Sequence, residues 1–164
     1  MIELYEGVPG SGKSYHAICE KFLPWVKQGR RLYIAVDGIY LDRLALFTGI
    51  ELSVLEQQIT LWKDSVEVLQ AFPHVEPGSA VIIDEAQTVF RSMQKVEPGL
   101  LRWLETHRHY GVDILLMSQD FRQMSQGVTR LIEATVKFRK LAFVGLSKKY
   151  QGKVRGNPED NEVI

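Results

Sequence analysis

The chain has 164 residues, 45% of them hydrophobic and 24% charged, which suits one domain able to bury its own core and excludes a disordered, collagen-like or disulfide-scaffolded chain. Lysine plus arginine and aspartate plus glutamate both number 20, so net charge points to no class of partner. Cys19 is the single cysteine, which excludes an intrachain disulfide and a multi-cysteine metal site.

In chain order, Met1 to Glu6 is a short segment that runs into a glycine loop. Ser14 to Lys27 then carries Ile18, Phe22, Trp25 and Val26 near helical spacing. This predicts strand, loop, helix, with the place of Cys19 in the helical pattern suggesting plain core packing. Gly29 marks a helix stop, and Arg31 to Val36 is rich in strand formers. Residues 38–72 are less readable. Leu41, Leu44 and Ala45 predict a turn or two of helix, and Leu61, Trp62, Val66, Leu69 and Gln70 a longer amphipathic one, with Gly49 between them.

Pro77 and Gly78 make a turn before Ala80 to Asp84, the third readable strand, whose unbroken apolar run belongs to a strand covered on both faces. Helix is predicted for Glu85 to Arg91, and again from Pro98 through Leu100, Leu101, Trp103 and Leu104, closed by Gly111. Asp113 to Met117 is another buried-type strand. Gly127 to Ile132 reads as a short helix, and Thr135 to Val144 as an edge strand or hairpin. Strands alternating with helices predict an α/β fold of three layers around a mostly parallel central sheet, with an additional C-terminal edge strand or hairpin. The division predicted is a domain over residues 1–147 and a basic then acidic tail or linker over 148–164. No apolar run approaches the ~18 residues that a bilayer crossing requires, and the amino terminus lacks a secretory layout; as given, the chain reads as soluble.

Gly7-Val8-Pro9-Gly10-Ser11-Gly12-Lys13-Ser14 satisfies G-x-x-x-x-G-K-[ST] between a predicted strand and a predicted helix. A backbone that wraps a phosphate must expose successive N–H groups through dihedrals that a side chain would block, hence the glycines. The helix that follows aims its dipole and free N–H groups at the β-phosphate, Lys13 reaches the β and γ oxygens, and the Ser14 hydroxyl ligates Mg²⁺. With Tyr15 at the loop's exit, residues 7–15 form the predicted nucleotide contacts, and the ligand expected is ATP with Mg²⁺. A glycine turn that only starts a helix is the bland alternative.

Asp84 and Glu85 end the apolar strand at the crevice where parallel sheets bind ligands. Asp84 is the candidate metal holder and Glu85 the candidate general base for an attacking water. Alternatively Asp84 caps the next helix and Glu85 complements its dipole. Ser118-Gln119 ends the following strand. If that strand lies between those of the loop and Asp84, Gln119 or Ser118 can contact the γ-phosphate or the water; the alternative is a turn-forming polar pair, and Gln87 is a weaker candidate. Arg108 either completes a neighbouring subunit's site as an arginine finger or caps its own helix. His107 and His109 are two apart and do not share a helix face, which gives a zinc site little support.

From Ala134 to Pro158 there is no acid, while Lys137, Arg139, Lys140, Lys148, Lys149, Lys153 and Arg155 are all basic. This imbalance suits nucleic acid, phospholipid or an acidic partner, or else a solvated hairpin.

The loop, Val81-Ile-Ile-Asp84-Glu85-Ala-Gln87, and the run from His107 through Arg108, His109 and Gly111 to Gln119 resemble in order the N-terminal domain of the zonular occludens toxin family, itself similar to filamentous-phage assembly proteins. The resemblance spans roughly Met1 to Leu146, and its third segment is the discriminating one. It implies a P-loop ATPase, the cytoplasmic domain of an inner-membrane protein, that energises phage assembly and export. The partners it implies are further copies of the chain, phage coat or assembly proteins, single-stranded phage DNA, and the inner membrane through a segment absent from these residues. Toxin action belongs to a distal part of the family and is not implied here. A P-loop kinase of a small molecule and a nucleotide-gated interaction module remain alternatives. GTPase action is disfavoured because the guanine-reading Asn/Thr-Lys-x-Asp motif does not occur.

Overall fold

The structure is a computed structural model and describes residues 1–140 and 150–158. Seven strands form one sheet in the order β3-β2-β4-β5-β1-β6-β7. They are β1 (Ile2–Glu6), β2 (Leu32–Ala35), β3 (Ile59–Leu61), β4 (Ala80–Ile83), β5 (Asp113–Ser118), β6 (Ala134–Lys140) and β7 (Tyr150–Arg155). All neighbours run parallel except β6 and β7, which are antiparallel. The expected mostly parallel sheet with an added C-terminal edge is therefore present. Residues 148–164 of the expected tail include β7, while the part of the predicted last strand beyond residue 140 lies outside the described residues.

Strand periodicity divides the core in two. Ile2 and Leu4, Val81 and Ile83, and Ile114 and Leu116 face one side, where they meet Val68, Phe72, Val89, Phe90, Leu100 and Leu104. Tyr5, Ala80, Ile82, Leu115 and Met117 face the other, against Ala17, Phe22, Val26, Leu44 and Leu55. Burying a large aliphatic side chain stabilises by about 1.5–3 kcal/mol, so the fully buried run of β4 anchors firmly the two acids that follow it.

The helices making the outer layers are α1 (Lys13–Ala17) and α2 (Leu23–Lys27), α3 (Leu41–Thr48) and α4 (Leu52–Gln58) on the second face, and α5 (Ser65–Ala71), α6 (Ala86–Val89), α7 (Pro98–Thr106) and α8 (Gln126–Thr129), which supply the first. A π-helical turn, Ile18–Phe22, joins α1 to α2. Pro24 has no N–H to return to the preceding turn, and a widened turn absorbs that loss.

The expected helix through Leu61 and Trp62 is corrected. Leu61 closes the edge strand β3, and the Trp62 N–H donates to the Ile34 carbonyl at 2.8 Å. The helix starts only at Ser65, because the Asp64 carboxylate accepts from the Val66 and Glu67 N–H groups at 2.9 Å each and so fixes the cap. Asp84 and Glu85 therefore follow the fourth strand in chain order rather than the third. The helix predicted over Glu85 to Arg91 is a single turn, α6.

Candidate active site

The loop between β1 and α1 is held at both ends. The Gly7 N–H donates to the Ser118 carbonyl at 3.1 Å and the Ser11 N–H to the Val8 carbonyl at 3.1 Å. A Cβ on Gly7 would stand 2.7 Å from the Phe138 carbonyl oxygen, so the loop's first residue must be glycine for β6 to pack this close. Gly12 caps α1 at φ 99°, in left-handed space, and offers no side chain to the N–H groups of Lys13 and Ser14 that follow it. Those amides remain available to an anion.

Lys13 is buried, and its ammonium donates to the Gly7 carbonyl at 2.5 Å and the Val8 carbonyl at 3.4 Å. Ser14 is exposed, and its hydroxyl donates to Asp84 Oδ2 at 3.4 Å. Val8 and Tyr15 stand at the rim, both exposed.

Asp84 is half-buried. Its backbone N–H donates to the Ala35 carbonyl at 2.8 Å, and its Oδ1 accepts from the Glu85 N–H at 2.8 Å. Burial pushes its pKa above the usual carboxylate range, opposed by the Glu85 amide, Lys13 and the Ser14 hydroxyl and reinforced by the Glu85 charge. A half-desolvated carboxylate beside a hydroxyl is a hard-oxygen donor set that fits Mg²⁺, and a bound cation would reverse that upward shift.

Glu85 has φ 48° and ψ 43°, the one non-glycine residue with positive φ among those described. The turn throws its exposed carboxylate towards the end of β5. There it accepts from Gln119 Nε2 at 3.3–3.4 Å, and from Gln87 Nε2. Gln119 reaches it because β5 lies between β4 and β1, as the conditional reading of the sequence required. The structure thus brings Lys13, Ser14, Asp84, Glu85 and Gln119 to one crevice at the carboxyl ends of the strands, together with Gln87.

Arg108 is not in this crevice within its own chain. It follows α7 and precedes β5, at the amino ends of the strands, where its guanidinium makes a two-pronged ion pair with Glu133. The cavity of about 180 Å³ that flanks Asp84 and Glu85 was missed by sequence reading. Its wall includes Asp37, Trp62, Lys63 and Asp64; all but Asp37, whose strand end carries no motif, lie in the stretch where β3 and its following turn replace the expected helix.

A parallel sheet with this loop after β1, an acid pair after β4 and a polar β5 end between them is a P-loop nucleoside-triphosphatase fold. The family model described as zonular occludens toxin (Zot) matches residues 1–162, and the chain belongs to that family. The gene 1 protein of Xanthomonas phage phiLf is 27% identical, with 92% of this chain and 37% of that protein covered. Among solved structures, the genome packaging NTPase B204 of Sulfolobus turreted icosahedral virus 2, in complex with ATP-gammaS, superposes with a TM-score of 0.63 at 18% identity, covering 99% of this chain and 95% of that one. The N-terminal domain of zonular occludens toxin from Neisseria meningitidis gives 0.57 at 20% identity, covering 96% and 94%. The chain spans only 36% to 42% of the length of the curated relatives it matches. Among the described residues no helix is long and apolar enough to cross a membrane.

Proposed function

We propose that this domain binds ATP with Mg²⁺ and hydrolyses it, and that hydrolysis energises filamentous phage assembly and export at the bacterial inner membrane. The observation that carries the reading is the 3.4 Å approach of the Ser14 hydroxyl to the Asp84 carboxylate, two residues 70 positions apart brought together at the mouth of an uncapped helix. Lys13 exchanges its loop carbonyls for the β and γ oxygens of the nucleotide, and the loop amides take the β-phosphate. Ser14 and Asp84 would hold the Mg²⁺, which when bound would supply positive charge to the phosphates. Glu85 accepts a proton from water as the water oxygen bonds to the γ-phosphorus and the bond to the β-bridging oxygen breaks. Gln119, hydrogen-bonded to Glu85, orients that water or the γ-phosphate.

The assembly role draws on family membership and on relatives named for phage genes and assembly. Self-association, phage coat or assembly proteins as partners, and attachment to the inner membrane through parts of the longer relatives belong to the same proposal, as does a cytoplasmic position for this domain. Arg108 can serve a nucleotide only in a neighbouring copy.

The test is steady-state phosphate release by Glu85→Gln alongside nucleotide binding. We expect turnover to fall by about 10²–10⁴-fold with ATP affinity retained. Unchanged turnover would remove Glu85 as the base, and absence of turnover in the unmutated chain would leave a nucleotide-gated interaction module. Repeating the assay against protein concentration tests Arg108: a rise in turnover per chain that Arg108→Ala abolishes supports action in trans, and a flat line opposes it.

A further inference from the structure

On the far side of β1 from the acid pair, the β6–β7 ribbon carries an arrangement that ATP hydrolysis does not use. Its register pairs Thr135 with Arg155, Lys137 with Lys153 and Arg139 with Gln151. Alternate residues of a strand share a face, so Lys137, Arg139, Lys153 and Arg155 all project from one side of the ribbon. Lys137 and Lys153 stand directly opposite each other, a like-charge pairing that destabilises a sheet unless an anion answers it. Glu6, buried at the end of β1, answers Lys137 at 3.2 Å. Among the described residues no acid pairs with Arg139, Lys153 or Arg155.

At the foot of this face lies a polar cleft of about 330 Å³ between the ribbon and the turn after β5, walled by Glu6, Phe121, Arg122, Thr135, Lys137 and Arg155, with Pro158. Thr135 is 1% exposed, yet its hydroxyl has no hydrogen-bond partner among the described residues, and neither does the buried Nε of Arg155. Arg122 is held at the rim by Asp120. Among the described residues, five cations therefore face two carboxylates, Glu6 and Asp120.

We infer that this cleft and ribbon bind the sugar-phosphate backbone of a single-stranded nucleic acid. Phosphodiester oxygens answer the Arg155 guanidinium and the Thr135 hydroxyl inside the cleft, the backbone continues along Lys153 and Arg139, and the half-buried Phe121 ring offers a base a stacking surface. A bilayer is too broad to enter the cleft and would meet only the ribbon's outer cations. The surface adjoins the ATP site on both sides: Glu6 immediately precedes Gly7, and Arg122 is three residues from Gln119. Binding itself does not rest on the proposed hydrolysis.

The experiment is fluorescence anisotropy of a labelled oligothymidylate of about 16 nucleotides with the 164-residue chain at a series of salt concentrations. We expect saturable binding that weakens with salt, a loss of at least about tenfold in affinity for Lys153→Glu/Arg155→Glu, and a salt slope reduced by about 1.4 in the neutral pair Lys153→Gln/Arg155→Gln. Retained ATP binding certifies that the variants fold. If Arg155→Glu does not fold, Arg139→Glu/Lys153→Glu, both at exposed positions, must show the same loss. Lys13→Ala should abolish ATP binding and leave the oligonucleotide bound, which separates failure of this inference from failure of the ATPase reading. Undiminished binding by the charge-reversed pair overturns the inference. So does equal or tighter binding, through the same residues, of phosphatidylserine vesicles, polyglutamate or inorganic phosphate.

Discussion

Glu85 gives the sharpest test of the site because its backbone and its side chain make separable demands. An L-residue in left-handed conformation costs roughly 1–2 kcal/mol, and Glu85 occupies that region at φ 48°. Glu85→Ala and Glu85→Gly both delete the carboxylate and its hydrogen bonds with Gln87 and Gln119, so the difference between them isolates the backbone. Glycine escapes the left-handed penalty but loses about 0.5–1 kcal/mol more conformational entropy on folding than alanine. From the middle of each range the expectation is a glycine variant more stable than the alanine variant by about 0.75 kcal/mol, the reverse of the order at a helical or extended position. For a chain of this length that is a difference of roughly 1–4 °C in melting temperature, readable by calorimetry or urea unfolding. Both variants should lose the turnover expected to depend on the base. An alanine variant as stable as the glycine variant, or more so, would refute the claim that this turn is strained to aim the carboxylate.

Asp84→Asn should raise the melting temperature of the nucleotide-free chain at neutral pH. Burial lifts the Asp84 pKa, so the native state favours the protonated form, and stability falls as pH rises from the unfolded value through the native one; removing the charge removes that cost. The same variant should lose the additional stabilisation that Mg-ATP gives the unmutated chain, so an unaltered ligand-induced shift would count against Asp84 as a metal holder. A second pH effect has the opposite sign. Burial raises Asp113, but hydrogen bonds from the N-terminal ammonium at 2.8 Å and from Arg30 at 2.7 Å outweigh it and leave its pKa lowered. Stability from this carboxylate is full above the ordinary range and lost as pH falls through its depressed value, from about pH 4 downward. Urea midpoints measured across that window should fall steeply, and less so in Arg30→Ala; an identical slope in the variant would refute the assignment.

Much of the fold was legible because its information is local. The apolar run of Ala80 to Ile83, placed after a Pro-Gly turn, is of the kind seen in a strand covered on both faces, and Gly12-Lys13-Ser14 sets loop and helix within eight residues of β1. What stayed hidden depends on distant partners. β3 is three residues long and includes Thr60, whose hydroxyl accepts from Arg31 at 2.8 Å, so no alternation announces it. Gln58 looks like a surface residue in sequence, but it is buried and its amide donates to the Val26 and Arg30 carbonyls at 2.9 Å each. Such a residue ties α4 to the end of α2 by hydrogen bonds that no periodicity encodes.

The same distinction runs through the site. The spacing of the loop identifies its own residues, but the partner of Glu85 is 34 positions away, and only the order β4-β5-β1 makes Gln119 that partner. Glu6 and Lys137 are farther apart still, joined because β6 takes the other side of β1. β1 thus ends between two chemically different surfaces: through β5 it adjoins the acid pair, and through β6 the cationic ribbon. Gly7 is pinned to Ser118 of β5 and packed against Phe138 of β6, so the start of the loop is fixed by both neighbours at once. A strand held on one side alone would give the loop no route to the ribbon. The parallel insertion of β1 between β5 and β6 is what places the two surfaces on either side of one strand.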